Sequence, residues 1–183
     1  MTRGGGLKRS GAGFMGLMLV VGIGAVGCAR LSVSQRASQH PGIGNFQQVA
    51  PGIYRGAQPD EAGLRALKAM GITTIVSLRV PPRVIDWERE PSQEAVARFL
   101  SIVTDPTRQP VFVHCREGQL RTGAMMASYR VLAEGWTAQD AYAEAKALGF
   151  DDRYPWYLPL KWFITDLEDH EKARALASEP VTS

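Results

Sequence analysis

The short apolar run Val111-Phe112-Val113 passes directly into His114-Cys115-Arg116-Glu117-Gly118-Gln119-Leu120-Arg121-Thr122-Gly123, and helical periodicity follows. Apolar β-branched and aromatic residues in a row suit a buried strand. Glycine in the next stretch permits a tight loop. Beyond it, Met125, Tyr129 and Leu132 mark the inner face of a helix expected over about Thr122 to Glu134, closed by Gly135. A strand that meets a helix N-terminus through such a loop builds an anion cradle. Successive backbone N–H groups point inward, and the helix end adds roughly half a positive charge.

The residue types in the loop point to one chemistry. Cys115 would have its thiolate stabilised there, and should titrate below the free value of about 8.5. Arg121 can clamp two phosphate oxygens with its planar fork. Gly118 allows a turn that other residues resist, and Gly123 allows close helix packing. Thr122 can offer its hydroxyl to the thiolate, and His114 orders the loop by hydrogen bonds. Arg116, Glu117, Gly118, Gln119, Leu120 and Thr122 then form the substrate-binding wall. The implied reaction is a double displacement at phosphorus through a phosphocysteine, followed by hydrolysis. It calls for no cofactor and no metal, and the sequence has no His/Asp cluster of metal-ligand type.

The rest of the chain reads as one small α/β domain. Val49 to Arg55 looks like a short strand with a turn. Asp60 caps a helix through Met70, with Leu64 and Leu67 inward and Gly71 ending it. Ile72 to Leu78 suits a buried strand. Ser92 caps a helix with Val96, Phe99, Leu100 and Val103 on one face, stopped by Pro106. Thr137 and Asp140 make an acidic capping box for a helix through Leu148. The last helix has Leu160, Phe163, Ile164 and Leu167 on one face and Pro159 in its first turn.

Charge is unevenly spread. The formal net charge of +3 comes from Arg3, Lys8 and Arg9, in a 27-residue start without any acid; the remainder holds 18 basic and 18 acidic side chains. No nucleic-acid partner is expected. The basic start leads into an apolar run from Phe14 to Gly27, shorter than the roughly 20 residues of a membrane-spanning helix, and then Cys28. Small residues before that cysteine resemble the cleavage box of bacterial lipoproteins, with Ala25 where leucine is usual; an ordinary cleaved signal or an uncleaved anchor are the other readings. The expected organisation is a signal at residues 1–27, a tether at 28–45 with Cys28 lipidated, a domain at 46–176 and a tail at 177–183. The protein would be exported, held to the membrane of the cell envelope by its lipid only, and monomeric. Cys115 would be its one free thiol.

The run His-Cys-x-x-Gly-x-x-Arg-Thr-Gly at His114–Gly123 resembles the signature of the dual-specificity branch of the protein tyrosine phosphatases. Pro51 to Pro59, the helix to Met70, Gly71 to Arg79, and Gly135-Trp136-Thr137 with its helix are similar to bacterial members of that branch, themselves related to atypical plant and fungal ones. The likeness covers roughly Phe46 to Leu167. It implies a three-layer phosphatase-type α/β fold with a small central sheet, and hydrolysis of a phosphoprotein, phosphoinositide or inositol phosphate. It also implies a general acid on a loop some thirty residues before the cysteine. Asp86, beside Trp87, falls near that separation; Glu88, Glu90 and Asp105 are the rivals.

Two departures stand out. Leu120 occupies a position where many bacterial relatives have Asp, and it either shapes the pocket or packs. Only 11 residues separate Arg79 from Pro91, about a strand fewer than relatives have. A relative that binds a phosphorylated ligand without turning it over is therefore the alternative reading. Sulfur transfer of the rhodanese kind also uses a loop cysteine, but Arg121-Thr122-Gly123 argues against it.

Overall fold

Strand β5 (Val111–His114) is buried along its whole length, as an apolar run inside a sheet covered on both faces should be. The computed structural model describes residues 38–79 and 91–168. The strands are β1 (Ser38–His40), β2 (Ile43–Ala50), β3 (Ile53–Gly56), β4 (Thr74–Ser77) and β5, in the spatial order β1-β2-β3-β5-β4. The sheet is mixed: β1, β2 and β3 pair antiparallel, while β3 and β4 flank β5 in parallel. Alternating side chains of β5 face two separate cores. Val111 and Val113 join Phe99, Met125, Met126 and Ile164 on one side; Phe112 meets Ile43, Phe46 and Leu67 on the other.

Helices complete the layers. On the Phe112 side is α1 (Glu61–Ala69), whose N-cap Asp60 accepts from the Gly63 N–H at 2.8 Å. The Val113 side carries α2 (Gln93–Val103), α3 (Leu120–Leu132), α4 (Ala138–Ala147) and α5 (Leu158–Thr165). Ser92 and Thr137 cap α2 and α4 through their hydroxyls. Leu160, Phe163, Ile164 and Leu167 are all buried, as the period of α5 requires. Helix α3 is buried from Thr122 to Val131, because it lies between the sheet and the other helices. Gly123 lets α4 approach: a Cβ there would meet Phe150 at 3.2 Å and Ala145 at 3.6 Å.

An arginine is buried at the C-terminal end of α3. Arg130 Nε and Nη2 donate to the two carboxylate oxygens of Glu144 on α4, at 2.9 and 2.6 Å. Its other contacts are Glu134, the carbonyl of Val49 on β2, and the Trp136 ring 4.2 Å away. Two helices and a strand are thereby joined at the end of α3 farthest from the loop.

Several expectations need correction. Ordered structure starts before Phe46: residues 38–40 and 43–45 lie in β1 and β2, joined by a turn, and not in a tether, and Ile43 is a core residue. Leu64 is 48% exposed, because α1 turns Gly63 and Leu67 to the sheet instead. Strand β4 is not fully buried: Thr74 and Val76 are half-buried, whereas Ile75 and Ser77 are exposed. It is the edge of the described sheet, with a neighbour on one side only. Helix α3 starts at Leu120, two residues earlier than expected. The signal segment, Cys28, the segment 80–90 with Asp86, and the tail lie outside the described residues.

Candidate active site

The site forms where β5 ends and α3 begins. Cys115 follows the strand directly and is 6% exposed. Burial by itself would push its thiol up. The Thr122 hydroxyl, together with the N–H groups of Thr122, Glu117 and Gly118, outweighs that effect, and the thiol titrates below its ordinary value. Thr122 Oγ1 is buried and has no nitrogen or oxygen partner; its hydroxyl serves the sulfur. The N-terminus of α3 carries no side-chain cap at Gln119, so its first N–H groups remain available to an anion.

The loop closes through Gly118, at φ +70°. A side chain there would be strained and would also collide with β3, since a Cβ would lie 2.4 Å from the Gly56 carbonyl carbon. Arg121 sits in the first turn of α3, half-buried. Burial lowers its pKa, the Cys115 thiolate raises it, and Arg79 lowers it. These effects show that both Cys115 and Arg79 lie within electrostatic reach of its guanidinium. Arg79 also donates to the side chain of Gln58.

Each expected loop residue has a definite place. His114 is buried, stacks on Phe112 at 5.9 Å, and approaches the Cys115 carbonyl with Nδ1 at 3.0 Å. A carbonyl only accepts, so Nδ1 carries the hydrogen. Arg116 and Glu117 expose their side chains. The carboxamide of Gln119 lies against Gly149. Leu120 is half-buried and packs on the main core, so packing accounts for an apolar residue there. Asp105 is far from the chemistry. It caps the turn at Pro106–Arg108, before β5 begins, whereas Cys115 follows the opposite end of that strand.

Other residues contact the loop without having been marked by the sequence. The Leu78 N–H donates to the His114 carbonyl at 2.8 Å and the Gln58 N–H to the Arg116 carbonyl at 3.1 Å. The Gly118 carbonyl accepts from Arg55 Nη2 at 2.5 Å and from Asn45 Nδ2 at 2.9 Å. Arg55 was legible only as one member of the similar run Pro51–Pro59. Asn45 carried no signal at all.

Two acids that follow α4, Asp151 and Asp152, are committed to other side chains. Asp152 accepts from Lys146 and Tyr142, which hold its carboxyl far below the usual range. Asp151 is held at about 2 by its hydrogen bonds with Arg153. Neither retains a proton to donate near neutral pH.

Comparison with known proteins agrees with this geometry. A family model described as "DSP-PTPase phosphatase fused to NAD+ Kinase" matches residues 84–154. The chain is 29% identical over 122 residues to the dual specificity protein phosphatase TpbA of Pseudomonas aeruginosa, covering 59% of this chain and 56% of that protein. It is 25% identical to an inositol diphosphatase of Oryza sativa subsp. japonica, over 55% of this chain and 54% of the relative. The chain thus spans little more than half the length of these relatives. The crystal structure of P. aeruginosa TpbA shares the fold with a TM-score of 0.61 at 22% identity, over 75% of this chain and 94% of that one. The chain is thus similar to dual-specificity phosphatases and to inositol diphosphatases.

Proposed function

We propose that this protein hydrolyses phosphomonoesters through a phosphocysteine on Cys115. The observation that carries the reading is the group of donors around one buried sulfur: the N–H groups of Glu117, Gly118 and Thr122, and the Thr122 hydroxyl. The Cys115 thiolate attacks phosphorus and forms the S–P bond as the bond to the leaving oxygen breaks. Arg121 and the loop amides hold the non-bridging oxygens as charge moves onto them. A general acid protonates the leaving oxygen, and Asp86 is the residue assigned to that role. Water then attacks the phosphocysteine, releasing inorganic phosphate and the thiolate, which the Thr122 hydroxyl stabilises as it departs.

The substrate is a phosphorylated protein or an inositol phosphate. A crystal structure of TpbA is a complex with pTyr, and the relative from Oryza sativa is an inositol diphosphatase. Arg79 close to Arg121 suits a substrate with more than one anionic group. We also infer export and lipidation at Cys28, from the basic, apolar and small-residue order of residues 1–27. Cys28→Ser should abolish acylation; a mature protein with an unmodified N-terminus elsewhere overturns that part.

The activity is tested with p-nitrophenyl phosphate on the protein and on Cys115→Ser. Turnover that the substitution removes by several orders of magnitude supports the reading. Binding of phosphate or vanadate without turnover would make the protein a phosphoryl-binding relative instead.

A further inference from the structure

The loop can present N–H groups to an anion only if its carbonyls point away, and each outward carbonyl needs a donor behind it. Backbone N–H groups serve His114 and Arg116, and the His114 ring serves Cys115. At Gly118 the arrangement differs. Two side chains from neighbouring strands, Asn45 on β2 and Arg55 on β3, converge on one carbonyl.

Arg55 is an expensive way to satisfy a carbonyl. It is 1% exposed, its Nε has no partner, and among the described residues it forms no ion pair. A buried cation without a paired carboxylate is unfavourable unless another negative charge compensates it. Three charged or titratable groups are within its electrostatic reach: Glu144 on α4, then Cys115 on the loop, and Arg130 on α3. Glu144 is bound at both oxygens by Arg130. Glu144 still acts on Arg55 more strongly than Cys115 does, and the Cys115 thiolate in the cradle is the second negative charge that favours the buried guanidinium. Burial brings its pKa down to about 10, which still leaves it charged near neutral pH.

We propose that Arg55 is a positioning residue for the phosphate loop: with Asn45 it holds the Gly118 carbonyl outward, and its buried charge favours the Cys115 thiolate and a bound phosphoryl group from behind. Asn45 contributes through its backbone as well. It has φ +50° and ties the Gly118 carbonyl to that of Leu148, using one amide nitrogen for both at 2.9 Å. The proposal rests on the phosphatase reading of Cys115 and Arg121, and extends it to residues that touch neither substrate nor sulfur.

The test reads the thiol directly, so it does not depend on finding the substrate. Rates of iodoacetamide alkylation at Cys115 are measured against pH, with and without vanadate, for wild type, Arg55→Met, Arg55→Lys and Asn45→Gly. Arg55→Met keeps much of the volume and removes charge and donor. Glycine accepts the positive φ at position 45, so Asn45→Gly removes only the amide. Arg55→Met should move the alkylation profile to higher pH and require about tenfold more vanadate for equal protection, the effect of losing one hydrogen bond to a charged group. Arg55→Lys should recover part of both, because it restores the charge without the fork. Asn45→Gly should shift both readouts in the same direction by less.

A folded Arg55→Met with the wild-type profile and wild-type protection overturns the proposal while leaving the phosphatase reading intact. If Arg55→Met does not fold, wild-type behaviour in both Arg55→Lys and Asn45→Gly overturns it equally. A wild type that reacts as an ordinary thiol and ignores vanadate overturns the phosphatase reading, and this proposal with it.

Discussion

Thr122 faces Cys115 with two donors at once, its side-chain hydroxyl and its backbone N–H. The hydroxyl has no other nitrogen or oxygen partner, so its contribution can be removed on its own. Thr122→Val preserves size and should raise the thiol pKa. It should also lower kcat for p-nitrophenyl phosphate by about tenfold, since a hydrogen bond to a charged group is worth about 1.5–3 kcal/mol. The thiolate is the leaving group of the second step, so pre-steady-state kinetics should show a burst of nitrophenol. Equal kcat and no burst would remove Thr122 from the mechanism.

The lowered thiol pKa also couples folding to pH. The unfolded chain binds this proton more tightly than the folded one, so the thiolate adds stability as pH rises from the folded value towards the ordinary thiol value. Below the folded value that contribution is lost. Urea denaturation of wild type and Cys115→Ser across this window should show the wild type gaining stability with pH relative to the variant. Parallel pH dependences would contradict the shift.

Arg121 reaches the cradle from the first turn of α3. Arg121→Lys retains a cation and loses the planar two-point contact. It should lower kcat by roughly 10²–10³, the scale seen when one preorganised transition-state donor is removed. A variant altered in KM alone would mean that Arg121 binds substrate and transition state equally.

Much of the site was legible because its chemistry demands particular residue types at fixed spacing. A nucleophile, a turn glycine, a bidentate cation and a hydroxyl donor had to fall in one short run, and the structure brings Cys115, Gly118, Arg121 and Thr122 together. Caps were legible for the same local reason, as at Asp60, Ser92 and Thr137. What could not be read depends on distance along the chain. Arg55 and Asn45 meet Gly118 from 63 and 73 residues away, and nothing local announces such a contact. Strand β4 looked central because a β-branched run does not disclose how many neighbours it will have. The strands before Phe46 were missed because Gly42, Gly44 and Asn45 resemble a linker, although Ile43 anchors them in the core.

Glu144 supplies a test of the fold away from the chemistry. It is the buried partner of Arg130, bound at both oxygens. Glu144→Ala leaves that arginine partly uncompensated and should cost about 3–5 kcal/mol, the usual result of breaking a buried pair. Urea denaturation should show a lower midpoint with an unchanged slope. A loss within about 0.5 kcal/mol, typical of ordinary surface changes, would mean that the pair contributes little.

Asp86 is tested by comparing leaving groups. Asp86→Asn should barely affect a substrate with an acidic leaving phenol, and should slow one with a basic leaving group by roughly 10²–10⁴. If both slow equally, or neither does, the general acid is another residue or none.

Trapping the intermediate tests the central claim most directly. The protein is mixed with p-nitrophenyl phosphate, quenched in acid during turnover, digested and analysed by mass spectrometry. Thr122→Val is run in parallel, because slower breakdown should let the intermediate accumulate. A phosphoryl group is expected on the peptide that contains Cys115, more of it in Thr122→Val, and neither adduct nor turnover in Cys115→Ser. A phosphoryl group on a different residue, or turnover that survives Cys115→Ser, would contradict it.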